Sequence, residues 1–376
     1  FLIGPYMPFF FNVTDSASIS TWSEIGIIIL MFGLGLEFNL HKLVSVGGTA
    51  IITALTEVGG MLLFGYLVGQ ALGWGTMDSV FLGGMLSMSS TTIIIKAFDD
   101  LGVQKERFAQ LVFGTLVIED IAGIFMMIIL SAISVGQGIS GMALALKLGM
   151  LVLYLALWLI LGIYLLPTLL NKASPLMSDE TLLVVSLGLC FGMVLLADAL
   201  GFSSALGAFL AGSLLAGTVH AERVEHLTQG VKDLFGAVFF ISVGMMLDPA
   251  MVVKYIVPIL VLTLVTIVGK LFFSSMGVLL SGQSLKNAVH CGCSLAQIGE
   301  FAFIIASLGL SLGVIADYIY PIIIAVSVIT TLTTPFFIKH SDNIYAFVVK
   351  LLPEKLTQKL ERYTDEEQSE KEQDSD

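Results

Sequence analysis

The sequence predicts an all-α, polytopic membrane protein, and three observations support this prediction. The chain has 376 residues, of which 56% are hydrophobic and 12% are charged, whereas soluble proteins are about 25% charged. Apolar runs of the roughly 20 residues that cross a bilayer recur along the chain. All Lys and Arg residues but one fall outside these runs or within about six residues of their ends. This composition excludes a nucleic-acid-binding protein, a secreted disulfide scaffold and a cytosolic enzyme.

Eleven spans are expected, separated by short breaks rich in Gly, Pro, Asp and Ser. They cover residues 22–38, 47–72, 78–97, 107–133, 142–168, 180–199, 203–218, 231–247, 252–280, 287–310 and 314–338. Because the chain opens inside an apolar run, a further helix is expected before Phe1. Residues 1–340 therefore form a predicted transmembrane domain. Residues 341–376 form a polar, acidic tail whose end, 364–376, is expected to be disordered.

The distribution of basic residues orients these spans. If the spans alternate, fourteen Lys and Arg residues fall on one side of the membrane, and Lys147 and Lys254 fall on the other. Cytoplasmic loops carry the excess of Lys and Arg in membrane proteins. The richer side, which includes the C-terminus, is therefore predicted to be cytoplasmic. Cys190, Cys291 and Cys293 lie in apolar segments and are expected to be packing residues.

Ionisable residues inside the spans are candidates for function. Lys270 lies deep in the ninth span, where a Lys costs about 2.5–3.5 kcal/mol on insertion scales. Glu119 and Asp120 are adjacent acids in the middle of the fourth span, and neighbours on a helix point about 100° apart. One acid can thus face a neighbouring helix while the other faces a cavity. Glu57 is deep in the second span but isolated, so its structural and functional interpretations stay open.

Two spans are predicted to be broken at membrane depth. The third contains a polar, glycine-rich run at 83–92, and the tenth contains another at 294–300 that ends in Glu300. Each run alone could also be ordinary small-residue packing between helices. The loop charges give the two regions opposite topology, as an inverted-repeat secondary transporter with a midplane site requires.

Several motifs resemble the monovalent cation:proton antiporter-2 family, which includes Kef-type potassium-efflux systems and related sodium/proton antiporters. The matching stretches lie at residues 4–5, 24–26, 32–38, 87–92, 119–121, 205–212, 239–245 and 299–303. The resemblance implies an inverted-repeat antiporter fold with two broken, crossing helices. It also implies a homodimer in which each protomer has a dimerisation domain and a core domain that moves like an elevator. No cofactor is implied.

The resemblance also assigns roles to residues. Asp120 matches the aspartate that binds the transported cation or a proton in turn, and Glu119 matches the variable position before it. Lys270 is predicted to pair with Glu119, which leaves Asp120 for the ion. Hard cations prefer oxygen ligands, which the hydroxyl groups of the first break can provide. The remaining candidates are Ser90, Thr91 and Thr92 in the first break and Gln297, Gly299 and Glu300 in the second.

The leading functional hypothesis is a secondary antiporter that exchanges Na⁺ or K⁺ for protons in a bacterial inner membrane. A cation channel and a glutathione-independent potassium-efflux system are alternatives. An intramembrane aspartyl protease is disfavoured, because its aspartates come from different helices and no Gly-x-Gly-Asp run is present. Glu at position 119 departs from the family pattern, so the sequence leaves the ion and the stoichiometry open.

Overall fold

The computed structural model describes residues 4–6, 15–37, 47–135, 153, 177–199, 204–245 and 248–351. Every regular element in this part of the chain is an α-helix, which confirms the predicted fold class. In chain order the helices are α1 Ser16–Glu37, α2 Gly48–Ala71, α3 Thr76–Leu86, α4 Thr91–Leu101, α5 Arg107–Val135, α6 Asp179–Ala199, α7 Ser204–Ala216, α8 Ala221–Met245, α9 Pro249–Lys254, α10 Ile256–Leu280, α11 Leu285–Leu295, α12 Glu300–Ser311, α13 Ile319–Lys339 and α14 Ser341–Leu351.

The helix lengths confirm a multi-pass membrane protein. Seven helical stretches among the described residues are long and apolar enough to cross a membrane, and α11 with α12 adds a span bent by 49°. Helix α8 begins at Ala221 rather than at 231, because its polar first half continues the helix beyond the apolar run. The expected span at 142–168 lies outside the described residues, so the count of eleven spans stays a prediction.

The chain divides into two compact units. The first comprises residues 1–42, 127–251 and 310–313, and in it α1 packs against α7 and α8. Two glycines permit the close approach of α1 to α7. A methyl group on Gly35 would clash with the carbonyl oxygen of Phe209, and one on Gly212 would clash with that of Phe32. Small residues are the usual means by which membrane helices approach closely.

The second unit comprises residues 43–126, 252–309 and 314–376, and it contains all the predicted site residues. Helix α2 packs against both α3 and α10, and α10 also contacts α11 and α13. A methyl group on Gly65 would lie 2.7 Å from the Cα of Gly83, and one on Gly277 would lie 2.7 Å from the Cα of Thr53. Closely packed helices therefore surround the two segments that were predicted to be broken.

The predicted polar tail begins with a helix, α14, which sequence reasoning did not assign. One side of this helix packs on an apolar patch of α11 formed by Leu285, Val289 and Cys293. The packing residues of α14 are Ile344, Tyr345, Val348 and Val349. Their spacing of one, three and four residues is that of an amphipathic helix. Residues 364–376, which were expected to be disordered, lie outside the described residues.

Candidate ion-binding site

Two helix breaks meet within the second unit. Helix α3 ends at Leu86 and α4 begins at Thr91, while α11 ends at Leu295 and α12 begins at Glu300. The Gly299 amide donates a hydrogen bond of 2.8 Å to the Met88 carbonyl oxygen. The structure therefore confirms both predicted breaks and shows that they contact each other, as crossing broken helices do.

Gly299 and Gln297 bind the second break to the first. The Gln297 side-chain amide donates to the Ser90 carbonyl oxygen at 3.1 Å. A methyl group on Gly299 would clash with the backbone of Ser89 and lie 2.6 Å from the Ser90 nitrogen. Glycine is therefore required at this crossing because two main chains pass within contact distance, which leaves no room for a Cβ.

The polar side chains of α13 bind the second break from its other side. The Ile298 amide donates to the Thr330 hydroxyl at 3.3 Å, and the Ser327 hydroxyl donates to the Ile298 carbonyl oxygen at 3.0 Å. Non-helical backbone at membrane depth persists where protein groups satisfy its polar atoms. Ser327 and Thr330 perform this role here, although sequence reasoning did not single them out.

The Lys270 ammonium lies at the first break and is fully buried. It donates to Glu57 Oε1 at 2.7 Å, to Ser89 Oγ at 2.6 Å and to the Ser87 carbonyl oxygen at 3.1 Å. These contacts match the three hydrogens that an ammonium group can donate. Lys270 therefore joins α2, α10 and the first break through one charged centre.

Lys270 makes the predicted ion pair with Glu119, but a second carboxylate lies closer. Glu119 Oε2 lies 3.9 Å from the Lys270 nitrogen, whereas Glu57 Oε1 lies at 2.7 Å. The short ion pair is thus with Glu57, whose role the sequence left open. Glu119 accepts instead from the Ser89 amide at 2.9 Å. Sequence alone could not place α2 beside α10, and the available signal was that Glu57 is an ionisable residue inside an apolar span.

Three charged side chains thus share one buried site. Glu57 and Lys270 have 0% relative exposure and Glu119 has 1%. If both carboxyls are ionised, two negative charges face one positive charge. Among the described residues, Glu57 Oε2 and Glu119 Oε1 have no hydrogen-bond partner. Unpaired carboxylate oxygens are costly in a low-dielectric site, so this arrangement favours uptake of a proton or a cation.

The charges match the helix ends at the first break. Lys270 binds the carbonyl oxygen of Ser87, directly after the C-terminal end of α3. Glu119 binds the amide of Ser89, just before the N-terminal end of α4. Helix C-termini attract positive charge and helix N-termini attract negative charge. The break is therefore stabilised by oppositely charged residues on either side of it.

Asp120 faces a different part of the break from Glu119, as the helical geometry predicts. The Thr91 hydroxyl, at the start of α4, donates to Asp120 Oδ2 at 3.4 Å. Asp120 is half-buried, whereas Glu119 is buried. The structure therefore brings the predicted cation-binding aspartate together with one of its three predicted hydroxyl partners.

The other candidates lie at different places around the breaks. Ser90 is buried and caps α4, because its hydroxyl accepts from the Ile93 amide at 3.4 Å. Thr92 is exposed. Glu300 is half-buried in the first turn of α12, where the helix N-terminus favours a carboxylate. Among the described residues, no cluster of three or more His, Cys, Asp or Glu side chains could hold a tightly bound metal ion.

Comparisons with known proteins agree with this geometry. A family model described as "Sodium/hydrogen exchanger, transmembrane" matches residues 1–339. YbaL of Escherichia coli (strain K12) is 31% identical over 99% of this chain and 66% of its own length. A Na⁺/H⁺ antiporter of Enterococcus hirae is 30% identical over 86% of this chain and 85% of its own length. The K⁺/H⁺ antiporter subunit KhtU of Bacillus subtilis is 28% identical over 93% of this chain.

A solved structure supports the fold. The sodium proton antiporter MjNhaP1 from Methanocaldococcus jannaschii aligns with a TM-score of 0.59, covering 93% of this chain and 90% of its own. The identity is 18%, so the likeness concerns the fold alone. The family match and the relatives confirm the resemblance to cation:proton antiporters. The chain spans about two thirds of YbaL, with 66% of that protein covered.

Proposed function

Because the chain belongs to the sodium/hydrogen exchanger family, we propose that it is an antiporter that exchanges Na⁺ or K⁺ for protons. The observation that carries this proposal is a half-buried aspartate, Asp120, on a helix that passes the crossing of two broken helices. The relatives named for Na⁺/H⁺ and K⁺/H⁺ antiport support the substrate class.

Asp120 is the proposed site at which cation and proton compete. Its ionised carboxylate is an acceptor that can hold a cation, whereas its protonated form has lost that charge. The two ligands therefore exclude each other on the same oxygens, which is the basis of exchange. Thr91 binds Asp120 directly, and Ser90 and Thr92 are the neighbouring oxygen ligands that we propose for the cation.

The second break is proposed to complete the site. Gln297 and Gly299 bind the backbone of the first break, so they position the residues that approach the ion. Glu300 adds a carboxylate at the N-terminus of α12. Backbone groups at such breaks and half-helix ends line the ion sites of inverted-repeat transporters.

Glu119 is proposed as a second ionisable group of the exchange. It shares the buried Lys270 centre with Glu57, where two carboxyls face one ammonium. Uptake of one positive charge there would balance the three side chains. Lys270 is the proposed charge partner of both carboxyls. Because it also binds Ser87 and Ser89, a change in the protonation of either carboxyl would alter its contacts with the first break.

We further propose a homodimer in a bacterial inner membrane, with the C-terminus in the cytoplasm. The orientation rests on the excess of Lys and Arg on one side of the predicted spans. Residues 1–340 form the proposed transporter domain, which agrees with the 1–339 extent of the family match.

Proton flux in liposomes tests the proposal. The purified chain is reconstituted, and a gradient of Na⁺, K⁺ or Li⁺ is imposed while an internal dye reports pH. We expect at least one of these ions to drive protons in the opposite direction. Asp120→Asn should reduce this flux to the level of empty liposomes, because an amide can exchange neither ligand at neutral pH.

The control is Asp198→Asn, which removes an exposed carboxylate near the end of α6 and should leave the flux unchanged. Ion-driven proton flux that persists at wild-type level in Asp120→Asn would contradict the assigned site. Ion current without any coupled proton movement in the unaltered protein would instead identify a channel.

A further inference from the structure

A pocket of about 480 Å³ lies in the second unit, away from the crossing of the breaks. Arg107, on its wall, precedes Glu119 by twelve residues on α5, or roughly 18 Å at about 1.5 Å per residue. The pocket volume lies within the roughly 300–1,000 Å³ of typical small-molecule sites. The charged and titratable residues on its wall are Glu106, Arg107, Lys286, His290, Lys339 and Asp342.

The wall of this pocket is rich in basic groups. Arg107, Lys286 and Lys339 come from three different helices, and they face two carboxylates, Glu106 and Asp342. All three basic residues fall on the side of the membrane that the loop charges predict to be cytoplasmic. The wall therefore has an excess positive charge before His290 is counted. Such an excess is suited to an anionic ligand rather than to a cation.

Three helices begin at the pocket. The first-turn residues Arg107 of α5, Lys286 of α11 and Ser341 of α14 all line it. The first amides of a helix have no partner within the helix, so helix N-termini bind anions readily. At the neighbouring end of α13, the Ile338 carbonyl oxygen accepts from the Ser341 hydroxyl at 2.8 Å.

A buried imidazole provides an independent indication of a ligand. His290 is 6% exposed and lines the pocket. Its Nε2 lies 3.3 Å from Asp342 Oδ1, an ion-pair distance when the imidazole is protonated, but it makes no aligned hydrogen bond with any described residue. Burial of such an atom without a hydrogen bond is costly unless a ligand or water completes it. The imidazole is therefore placed to donate to a group that enters the pocket.

Asp342 occupies the mouth of the pocket. Its side chain is 74% exposed, and its Oδ1 lies 3.2 Å from the Lys286 nitrogen. The hydrogen bond from Lys286 holds the pKa of the Asp342 carboxyl below its usual range, so this carboxylate is ionised at neutral pH. An incoming anion would compete with Asp342 for both Lys286 and His290.

We propose that this pocket binds a phosphate group, held by Arg107, Lys286, Lys339 and His290 together with the N-termini of α5, α11 and α14. Arg and Lys side chains with helix amides are the usual ligands of phosphate. Two sources share this chemistry: the headgroup of an anionic lipid, which basic pockets at the cytoplasmic ends of membrane helices accommodate, and a free phosphate in the cytoplasm. The site is separate from the proposed ion site and does not depend on transport.

Thermal unfolding of the purified full chain in detergent tests the site. Inorganic phosphate is titrated against chloride at equal ionic strength in one arm. Short-chain phosphatidylglycerol is titrated against phosphatidylcholine in the other. We expect a saturable rise in Tm with at least one of the two phosphate probes. A response to inorganic phosphate would identify a free phosphate ligand, and a response restricted to phosphatidylglycerol would identify a lipid headgroup.

The charge variants decide where the probe binds. The double variant Arg107→Gln, Lys286→Gln should weaken binding by about tenfold or more, because each charged hydrogen-bond partner contributes substantially. The matched control is Lys96→Gln, Lys350→Gln, which removes two exposed basic groups outside the pocket and should leave binding unchanged. Equal loss in the two double variants, or no response to either probe in the unaltered protein, overturns the proposal.

A variant with the opposite expected effect keeps the test decisive if the double variant fails to fold. Asp342→Asn removes the competing carboxylate, and exposed charge pairs contribute modest energies. We therefore expect phosphate binding to become about twofold to fivefold tighter. Unchanged or weaker binding in Asp342→Asn overturns the assignment of this pocket as the phosphate site.

Discussion

At the scale of single residues, the Lys270 ammonium has more hydrogen-bond acceptors than an isolated ion pair would provide. Its ammonium binds a carboxylate, a hydroxyl and a main-chain carbonyl, and a second carboxylate lies 3.9 Å away. A buried charge is tolerated when its desolvation is offset by a partner and by further hydrogen bonds. Loss of one partner therefore leaves the others with an unbalanced charge.

A double-mutant cycle tests which carboxylate balances Lys270. Glu57→Gln alone and Lys270→Gln alone should each lower Tm strongly, because breaking a buried pair typically costs about 3–5 kcal/mol. The variant with both changes should recover much of the loss. The coupling between Glu57 and Lys270 should exceed that between Glu119 and Lys270, since the distances are 2.7 Å and 3.9 Å. The cycle is measured by thermal unfolding in detergent.

The exposed pair Lys96 and Asp100, 2.8 Å apart on α4, is the control for this cycle. It should show little coupling, because solvent screens exposed pairs. Additive losses for Glu57 and Lys270 would mean that the two side chains do not stabilise each other. A larger coupling for Glu119 would show that the predicted Lys270–Glu119 pair is the stronger of the two.

At the scale of elements, the crossing of the two breaks depends on backbone contact rather than on side-chain chemistry. Gly299 donates to Met88, and Gln297 donates to Ser90. Both acceptors are main-chain carbonyls, so the contact requires the two backbones to approach closely. The positions of the proposed ion-site residues therefore depend on a glycine that carries no functional group.

Gly299→Ala tests this dependence. The added methyl would clash with the Ser89 backbone and lie 2.6 Å from the Ser90 nitrogen, so the breaks must separate. Overpacking of this kind typically costs about 1–3 kcal/mol. We expect a lower Tm together with a loss of ion-driven proton flux, because separation of the breaks displaces Thr91 from Asp120.

Gly59→Ala is the matched control, since a methyl group there would have no neighbouring atom within 4 Å. It should retain flux and Tm, or gain slightly in stability, because alanine favours a helix over glycine. Wild-type flux in Gly299→Ala would show that the crossing tolerates separation and that the site does not depend on it.

The sequence predicts most helices well because hydrophobic periodicity and length are local properties. The expected span 47–72 corresponds to Gly48–Ala71, and both breaks lie within the polar runs that predict them. The shorter ion pair of Lys270 could not be predicted, because no local pattern places Glu57, 213 residues away along the chain, beside it. Neither could the hydrogen bonds of Ser327 and Thr330 to Ile298, which depend on the packing of α13.

At the scale of the whole molecule, charge is distributed very unevenly. The net charge is −12, yet Asp and Glu residues are concentrated in the last thirteen positions, 364–376. The first part of the predicted tail, by contrast, forms an amphipathic helix. Helix α14, Ser341–Leu351, covers an apolar patch of α11, and its first turn lines the pocket that we propose for phosphate. Removal of the acidic end should therefore have little effect on stability, whereas removal of α14 should lower it.

Two truncations separate these parts. A chain that ends at residue 363 should transport at close to the wild-type rate and keep its Tm, because a run of acidic, solvated residues has no apolar face to dock. A chain that ends at residue 340 should lose Tm by several degrees. Loss of α14 uncovers Leu285, Val289 and Cys293 of α11. Burial of apolar surface contributes roughly 25 cal/mol per Å² to stability.

Expression, Tm and ion-driven proton flux measured in parallel distinguish the two roles. The shorter truncation is the control for the longer one, since both remove the acidic end. A large loss of turnover at unchanged Tm in the chain ending at 363 would show that the acidic run regulates transport. An unchanged Tm in the chain ending at 340 would show that α14 does not stabilise α11. Helix α11 leads directly into the second break, so a destabilised α11 should also weaken the contacts of Gln297 and Gly299 with the first break and lower the flux.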